Sequence, residues 1–259
     1  MDMSAASEPR TAMVTGASSG IGRAIAVAFG ALGWKVAVGA RRIDALAETA
    51  TAVTDAGGTA FAHALDVTDA TSVDTFVANA SEALGPIDVL INNAGCAWPG
   101  DIAAIEPDKL RDMLATNVLG TLLPSRGVVA RLLADRRAGD VVLISSDAVH
   151  NPRPGLVTYG ATKAAAEHIA RGLAYEVEGT GIRVTTVRVG PTITDFASDW
   201  GDPQQFAAMV ERWQRFGHQR HWGVMDPSDV ARAVVLAVTT PPGVHLDTIE
   251  VVPVAPPTP

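Results

Sequence analysis

The sequence predicts an α/β fold, a doubly wound and mainly parallel sheet with helices on both faces. Two observations lead there. Strand-like and helix-like stretches alternate along most of the chain, and a glycine-rich loop stands between the first strand and the first helix. Alternation at this spacing carries each strand through a crossover helix into a parallel neighbour. No linker or break in composition divides the 259 residues, so 1–259 read as one domain.

The elements follow in order. Residues 11–15 form a short β-prone run, and 21–32 an amphipathic stretch after the glycines. Residues 35–39 read as a second strand, and 43–56 as a helix closed by Gly57-Gly58. The unit repeats at 60–65 and 72–84, and Gly85-Pro86 punctuates before a strand at 87–91. One helix is expected across 107–134, a strand at 141–145, a helix at 158–178 and a strand at 183–188. Asp226-Pro227-Ser228-Asp229 opens a further helix, with proline early and acids favouring the dipole. A strand near 248–252 completes the pattern, and residues 1–9 and 253–259 read as loose tails.

Composition excludes several classes. Hydrophobic residues make up 47 % of the chain, the globular norm, yet no apolar stretch approaches the ~20 residues that cross a bilayer. The first ten residues lack a basic-then-apolar signal pattern. A net charge of −8 argues against a broad nucleic-acid surface. The single cysteine, Cys96, excludes an internal disulfide and fits a cytoplasmic setting.

Chemistry enters at the loop Thr15-Gly16-Ala17-Ser18-Ser19-Gly20-Ile21-Gly22. Glycines there allow a tight turn and close backbone approach, while the helix N-terminus offers free N–H groups to a pyrophosphate. The second strand ends in Gly39-Ala40-Arg41-Arg42, with no carboxylate to hold ribose hydroxyls. An arginine at that edge accommodates a 2′-phosphate. NADP(H) is therefore the expected cofactor, with Arg41 its principal contact and Arg42 a second candidate.

Tyr159 and Lys163 lie four residues apart, thirteen residues after Ser146. On a helix that spacing puts both on one face, roughly 5–6 Å apart. A lysine ammonium there would favour the phenolate and bring a phenol that titrates near 10 into range as a general acid/base. Ser146, ending an apolar run, would hold a carbonyl or hydroxyl oxygen beside it. A lone pair of this kind also fits a solvent-exposed surface helix.

Together these motifs resemble the short-chain dehydrogenase/reductase family, in its ordinary single-domain branch with a Rossmann-type fold, over about residues 11–252. The resemblance rests on Thr15–Gly22, Asp66-Val67, Asn92-Asn93-Ala94-Gly95, Asn117, Ser146, Tyr159/Lys163 and residues 189–194. It implies that Asp66 and Val67 contact the adenine and that Asn93, Ala94 and Gly95 lie beside the cofactor. It implies that Asn117 anchors a proton-relay water and that Lys163 binds the nicotinamide ribose. Where the family shows Pro-Gly after its sixth strand, this chain has Val189-Gly190-Pro191. Gly190, Thr192 and Thr194 align with the family's cofactor contacts there. The implied activity interconverts a ketone or aldehyde and an alcohol, with Ser146 and Tyr159 on the substrate, in a homodimer or homotetramer built through the two long helices.

Substrate identity is read from aromatics. Residues 195–222 hold Phe196, Trp200, Phe206, Trp213, Phe216 and Trp222, and Trp98 follows the Asn-Asn-Ala-Gly segment. Large aromatic faces suit a pocket or lid, so a bulky, apolar or ring-bearing substrate is expected, with Trp98, Trp200 and Trp213 as contacts. Half of these rings could equally pack a lid helix or a subunit contact. His218 and His221 are taken as surface residues and no metal is expected. A non-catalytic NADPH-binding regulator on the same fold is the alternative, and it would be expected to lose Tyr159 or Lys163. An enoyl reductase would show a wider Tyr–Lys spacing.

Overall fold

The computed structural model describes residues 9–256 except 199, 202 and 220, and excludes the side chains of residues 203 and 205. The possible lid, the histidine segment and both tails therefore lie partly outside the described residues. Strands β1 (Thr11–Thr15), β2 (Lys35–Ala40), β3 (Thr59–Ala64), β4 (Val89–Asn92), β5 (Gly139–Ser146), β6 (Ile182–Val189) and β7 (Thr248–Val251) form one sheet in the order β3-β2-β1-β4-β5-β6-β7. Every pairing is parallel. All residues of β1, β4 and β5 are buried, as expected of strands covered on both faces.

Helices α1 (Gly20–Ala31), α2 (Ile43–Asp55) and α8 (Pro227–Thr239) cover one face. In α1 the buried positions are Gly22, Ile25, Ala26, Phe29 and Gly30, a stripe at helical period. Helices α3 (Ala70–Leu84), α5 (Gly120–Ala134) and α6 (Val157–Glu176) cover the other face through Val73, Phe76, Leu132 and Ala166. Asp226 caps α8 by accepting from Ser228 N at 2.8 Å, and Asp229 returns the contact to Asp226 N at 3.0 Å. The chain winds one way from β1 to β3 and the other way from β4 to β7. The switch between β1 and β4 opens a crevice at the carboxyl ends of the strands.

Most predicted elements match within two residues. The exception is the helix expected over 107–134, which is α4 (Pro107–Leu114), a wide π turn at Ala115–Leu119, then α5. The turn contains neither Gly nor Pro, and Thr116, Asn117 and Val118 share similar middling helix propensities, so sequence alone marks no break. The turn exists because Asn117 is buried against loop groups far away in sequence. In the C-terminal segment, a β-carbon at Gly190 would meet Pro253 Cδ at 3.1 Å, and one at Gly223 the Val254 carbonyl oxygen at 2.5 Å. The backbone of residues 253 and 254 thus passes close to Gly190 after β6 and Gly223 before α8, while the Val254 side chain is 88 % exposed. Helix α7 (Pro203–Arg215) lies between β6 and α8 in sequence.

Candidate functional site

At the end of β1 the chain turns through Gly16 (φ 65°) and Gly20 (φ 54°). A β-carbon on Gly16 would stand 2.8 Å from Ala94 Cα, and one on Gly22 would stand 2.5 Å from the Gly16 carbonyl oxygen. The loop is stapled to the segment after β4: Asn93 Nδ2 donates to Thr15 O at 2.9 Å and Gly16 O at 3.1 Å. Asn93 N and Ala94 N both donate to Thr15 Oγ1, at 3.0 and 3.1 Å. This cradle leaves the start of α1 facing open space, the geometry that takes an anion.

Arg42, not Arg41, reaches the loop. Its guanidinium donates to Ser18 Oγ at 3.1 Å and Ser19 Oγ at 2.9 Å. Arg41 lies near Asp66, whose carboxyl is held below its usual value chiefly by hydrogen bonds from Thr68, with Arg41 contributing last. Both arginines are exposed along the cleft. The Arg42 contact is not written in the sequence, because strand ends fix position but not where a long side chain turns.

Ser146, Tyr159 and Lys163 meet on the opposite wall. Ser146 ends β5, while Tyr159 and Lys163 lie one turn apart in α6. The Ser146 hydroxyl donates to Asp147 Oδ1 at 3.3 Å and favours the ionised form of the phenol. Burial pushes Tyr159 up to about 12; Ser146 and the Arg153 guanidinium pull it down, while Asp147 and Cys96 add to the rise. Lys163 Nζ donates to Ile144 O at 2.8 Å and stands 5.9 Å from the Tyr159 ring centroid. Burial lowers Lys163 to about 8. The ammonium points at a backbone carbonyl, and burial is the largest influence on both groups. Gly95 makes room for it, since a β-carbon there would stand 3.4 Å from Lys163 Nζ.

Asn117 sits behind this wall. Its Nδ2 donates to Cys96 O at 2.8 Å and Thr162 Oγ1 at 2.9 Å, and its Oδ1 accepts from Cys96 N at 2.8 Å. The side-chain amide is committed to protein groups, so it ties the loop after β4 to α6 and offers no free donor to a water. Cys96, half-buried, has its thiol pushed up by burial.

A cleft of about 670 Å³ joins these parts. Its half beside the glycine loop is lined by Gly16, Ser18, Ser19, Gly20, Ile21, Asp66, Val67, Asn93, Ala94 and Gly95. Gly190, Thr192 and Thr194 close it from the end of β6, and the Thr194 side chain would stand 3.1 Å from a β-carbon on Gly20. Gly22 and Asn117 shape the cleft without lining it. Trp98, Trp200, Trp213 and Trp222 all line the other half. There an aromatic ladder runs Tyr159–Phe196–Trp200–Phe206–Trp213 with centroids 5.6, 6.3, 5.9 and 6.4 Å apart. Trp213 Nε1 donates to Pro154 O at 2.7 Å, and Leu156, Met209, Val210 and Trp213 share a small apolar core. Helix α7 is thereby seated on the strap (147–156) that links Ser146 to α6. Phe216 lies outside the cleft and is 59 % exposed. No cluster of three or more His, Cys, Asp or Glu able to hold a metal is present among the described residues.

Sequence reading missed one pair as a unit. Asp147 and Arg153 line the cleft as a bidentate ion pair. Opposite charges flanking a short Pro-containing strap between Ser146 and Tyr159 were the available signal.

Comparison with known proteins agrees with this geometry. A family model described as short chain dehydrogenase matches residues 10–205. The chain is 36 % identical over 244 residues to glycine betaine reductase ATRR of Emericella nidulans, covering 94 % of this chain but only 19 % of that protein. It is 30 % identical to 2,3-dihydro-2,3-dihydroxybenzoate dehydrogenase of Bacillus subtilis, over 90 % of each chain. Among solved structures, a short chain dehydrogenase from Mycobacterium paratuberculosis bound to NAD aligns with TM-score 0.84 and 30 % identity, covering 93 % of this chain and 96 % of that one. The closed form of serine dehydrogenase complexed with NADP+ aligns with TM-score 0.81 and 28 % identity, covering 93 % and 94 %.

Proposed function

The chain belongs to the short-chain dehydrogenase family, and on that premise we propose that this oxidoreductase interconverts a ketone or aldehyde and an alcohol with NADP(H), using Tyr159 as its general acid/base. The observation that carries the reading is the meeting of Ser146, Tyr159 and Lys163 on one wall of a cleft whose other half is the glycine cradle. The cradle suits a dinucleotide: its glycines let the loop at the start of α1 pack tightly against residues 93 and 94, and Arg41 and Arg42 border it with positive charge. A bound nicotinamide dinucleotide would supply or accept the hydride.

The chain's own residues handle the oxygen and its proton. Ser146 holds the substrate oxygen beside the phenol. As the phenol, Tyr159 gives that oxygen its proton in reduction; as the phenolate, it takes the proton of the alcohol in oxidation. Lys163, anchored on Ile144 O, keeps a positive charge near the phenol and faces the space beside Gly95, where a ribose hydroxyl would bind. Asn117 holds the loop carrying Cys96 in register with α6. The aromatic ladder favours a bulky, apolar or ring-bearing substrate. The B. subtilis relative is named for a ring-bearing compound, which is in keeping with this. The protein works as a single domain with α7 as its lid, in the cytoplasm, as a homodimer or homotetramer.

A carbonyl panel assayed by NADPH oxidation, with NADH as control, tests the reading. Tyr159→Phe should bind NADPH near normally and lose nearly all turnover; substantial residual activity would sink the assignment. Replacing Arg41 and Arg42 together by Ala removes charge-assisted contacts of about 1.5–3 kcal/mol each. NADPH affinity should fall at least roughly tenfold while NADH is little affected; equal losses would remove the case for NADP(H).

A further inference from the structure

Asp147 and Arg153 stand at opposite ends of the strap between β5 and α6, directly between Ser146 and Tyr159 in the chain. Arg153 grips the carboxylate with two contacts, at 3.0 and 2.5 Å, and each side chain is only 10 % exposed. A desolvated ion pair is a weak stabilising device, because apolar side chains of the same volume serve as well. This pair lines the cleft instead. The Ser146 hydroxyl lies 3.3 Å from Asp147 Oδ1, and the Arg153 guanidinium lies 5.8 Å from the Trp213 ring centroid.

We propose that Arg153 is a positioning residue for the proton-transfer step: by holding Asp147 bidentately in the cleft it offsets, beside Tyr159, the negative charge of a carboxylate that also accepts from the Ser146 hydroxyl. The inference rests on Tyr159 being the acid/base.

The groups that face Tyr159 can be taken element by element. Ser146 comes from the end of β5, Asp147 and Arg153 from the strap, Cys96 from the loop after β4, and Lys163 from α6. The lid contributes the uncharged Phe196 ring. Asp147 and Cys96 oppose ionisation of the phenol, whereas Ser146 and Arg153 favour it. Burial keeps the Cys96 thiol protonated at neutral pH. Asp147 and Arg153 are thus the opposed charges on the strap, and each exists in the cleft only with the other.

The chain has two tyrosines, and Tyr175 is 79 % exposed and away from the cleft. In a Tyr175→Phe background, ultraviolet phenolate absorbance reports Tyr159 alone, at alkaline pH values where the far-ultraviolet signal remains native. Arg153→Gln should raise the midpoint and Asp147→Asn should lower it, each by on the order of half a pH unit or more. The double variant should return toward the parent. The pH limb of kcat/KM for alcohol oxidation should move in the same two directions. Single variants that shift together, or not at all, would overturn the proposal and leave the pair a strap fastener. If Arg153→Gln does not fold, Arg153→Lys keeps the charge and should hold the midpoint near the parent value while Asp147→Asn still lowers it; a fall as large in both would also overturn it. Tyr159→Phe separates the two readings. If that variant keeps turnover, the acid/base assignment fails; if it is inactive and the midpoints do not diverge, only the role of Arg153 fails.

Discussion

A methyl group at Gly22 would press within 2.5 Å of the Gly16 carbonyl oxygen and of Asn93 Nδ2. Backbone cannot yield there without unstapling the loop from the strand beside it. Gly22→Ala should therefore weaken dinucleotide binding by more than tenfold even though Gly22 does not line the cleft, and titration of NADPH fluorescence would register it. At Lys163 the consequence is one of pH. Its folded value of about 8 lies below the ordinary lysine value of 10.5, so between those limits the unfolded chain binds a proton that the folded chain has lost. Stability from this group is present above pH 10.5 and is lost as the pH falls through 8. Tyr159 acts oppositely, since its raised value makes stability decline between pH 10 and 12. Denaturant unfolding on both sides of pH 8 should show the parent gaining stability relative to Lys163→Met as pH rises toward 10. A constant gap would mean that the amine is not desolvated.

Between residues and fold, the π turn does the positioning. Five residues of wide turn carry Asn117 inward, where it makes three side-chain hydrogen bonds to Cys96 and Thr162. Asn117→Ala leaves the half-buried Cys96 backbone groups and the buried Thr162 hydroxyl without those partners, which costs roughly 1–3 kcal/mol. Turnover should fall with it, because the same contacts tie the loop after β4 to the helix bearing Tyr159. Thermal unfolding and kcat measured on one preparation would test this; an unchanged melting temperature would refute the tie. A second clamp sits one turn beyond Lys163. Glu167 accepts from Ser145 Oγ at 2.7 Å and from Arg188 Nε at 3.0 Å, fastening α6 to both β5 and β6. These anchors explain why the strand end and the helix face hold a common geometry.

At the scale of the whole molecule, two exposed helical stripes lie on one face. Leu119, Leu122 and Leu133 run along α5 and its approach, each 42–43 % exposed, and Val157 begins a stripe on α6 continued by Ala161 and Ala164. Small and apolar side chains let helices approach closely, which supports the proposed homodimer or homotetramer. Leu122→Glu should shift the mass seen by light scattering to that of one 26.8 kDa chain. A mass unaffected by the charge would place any interface elsewhere.

Legibility differed by the range of the forces involved. Strand runs, the glycine loop and the Tyr159/Lys163 spacing were readable because they express local geometry: pleat burial, positive φ and helical period. The break at 115–119, the turn of Arg42 onto Ser18 and Ser19, and the close approach of residues 253 and 254 to Gly190 and Gly223 were not. Each depends on a partner far along the chain. Period and spacing alone were enough for a doubly wound sheet, a glycine cradle after β1 and a Ser–Tyr–Lys wall. Which charges share the cleft with Tyr159 was settled by tertiary packing, because Asp147 finds Arg153 only once the strap has folded under α7.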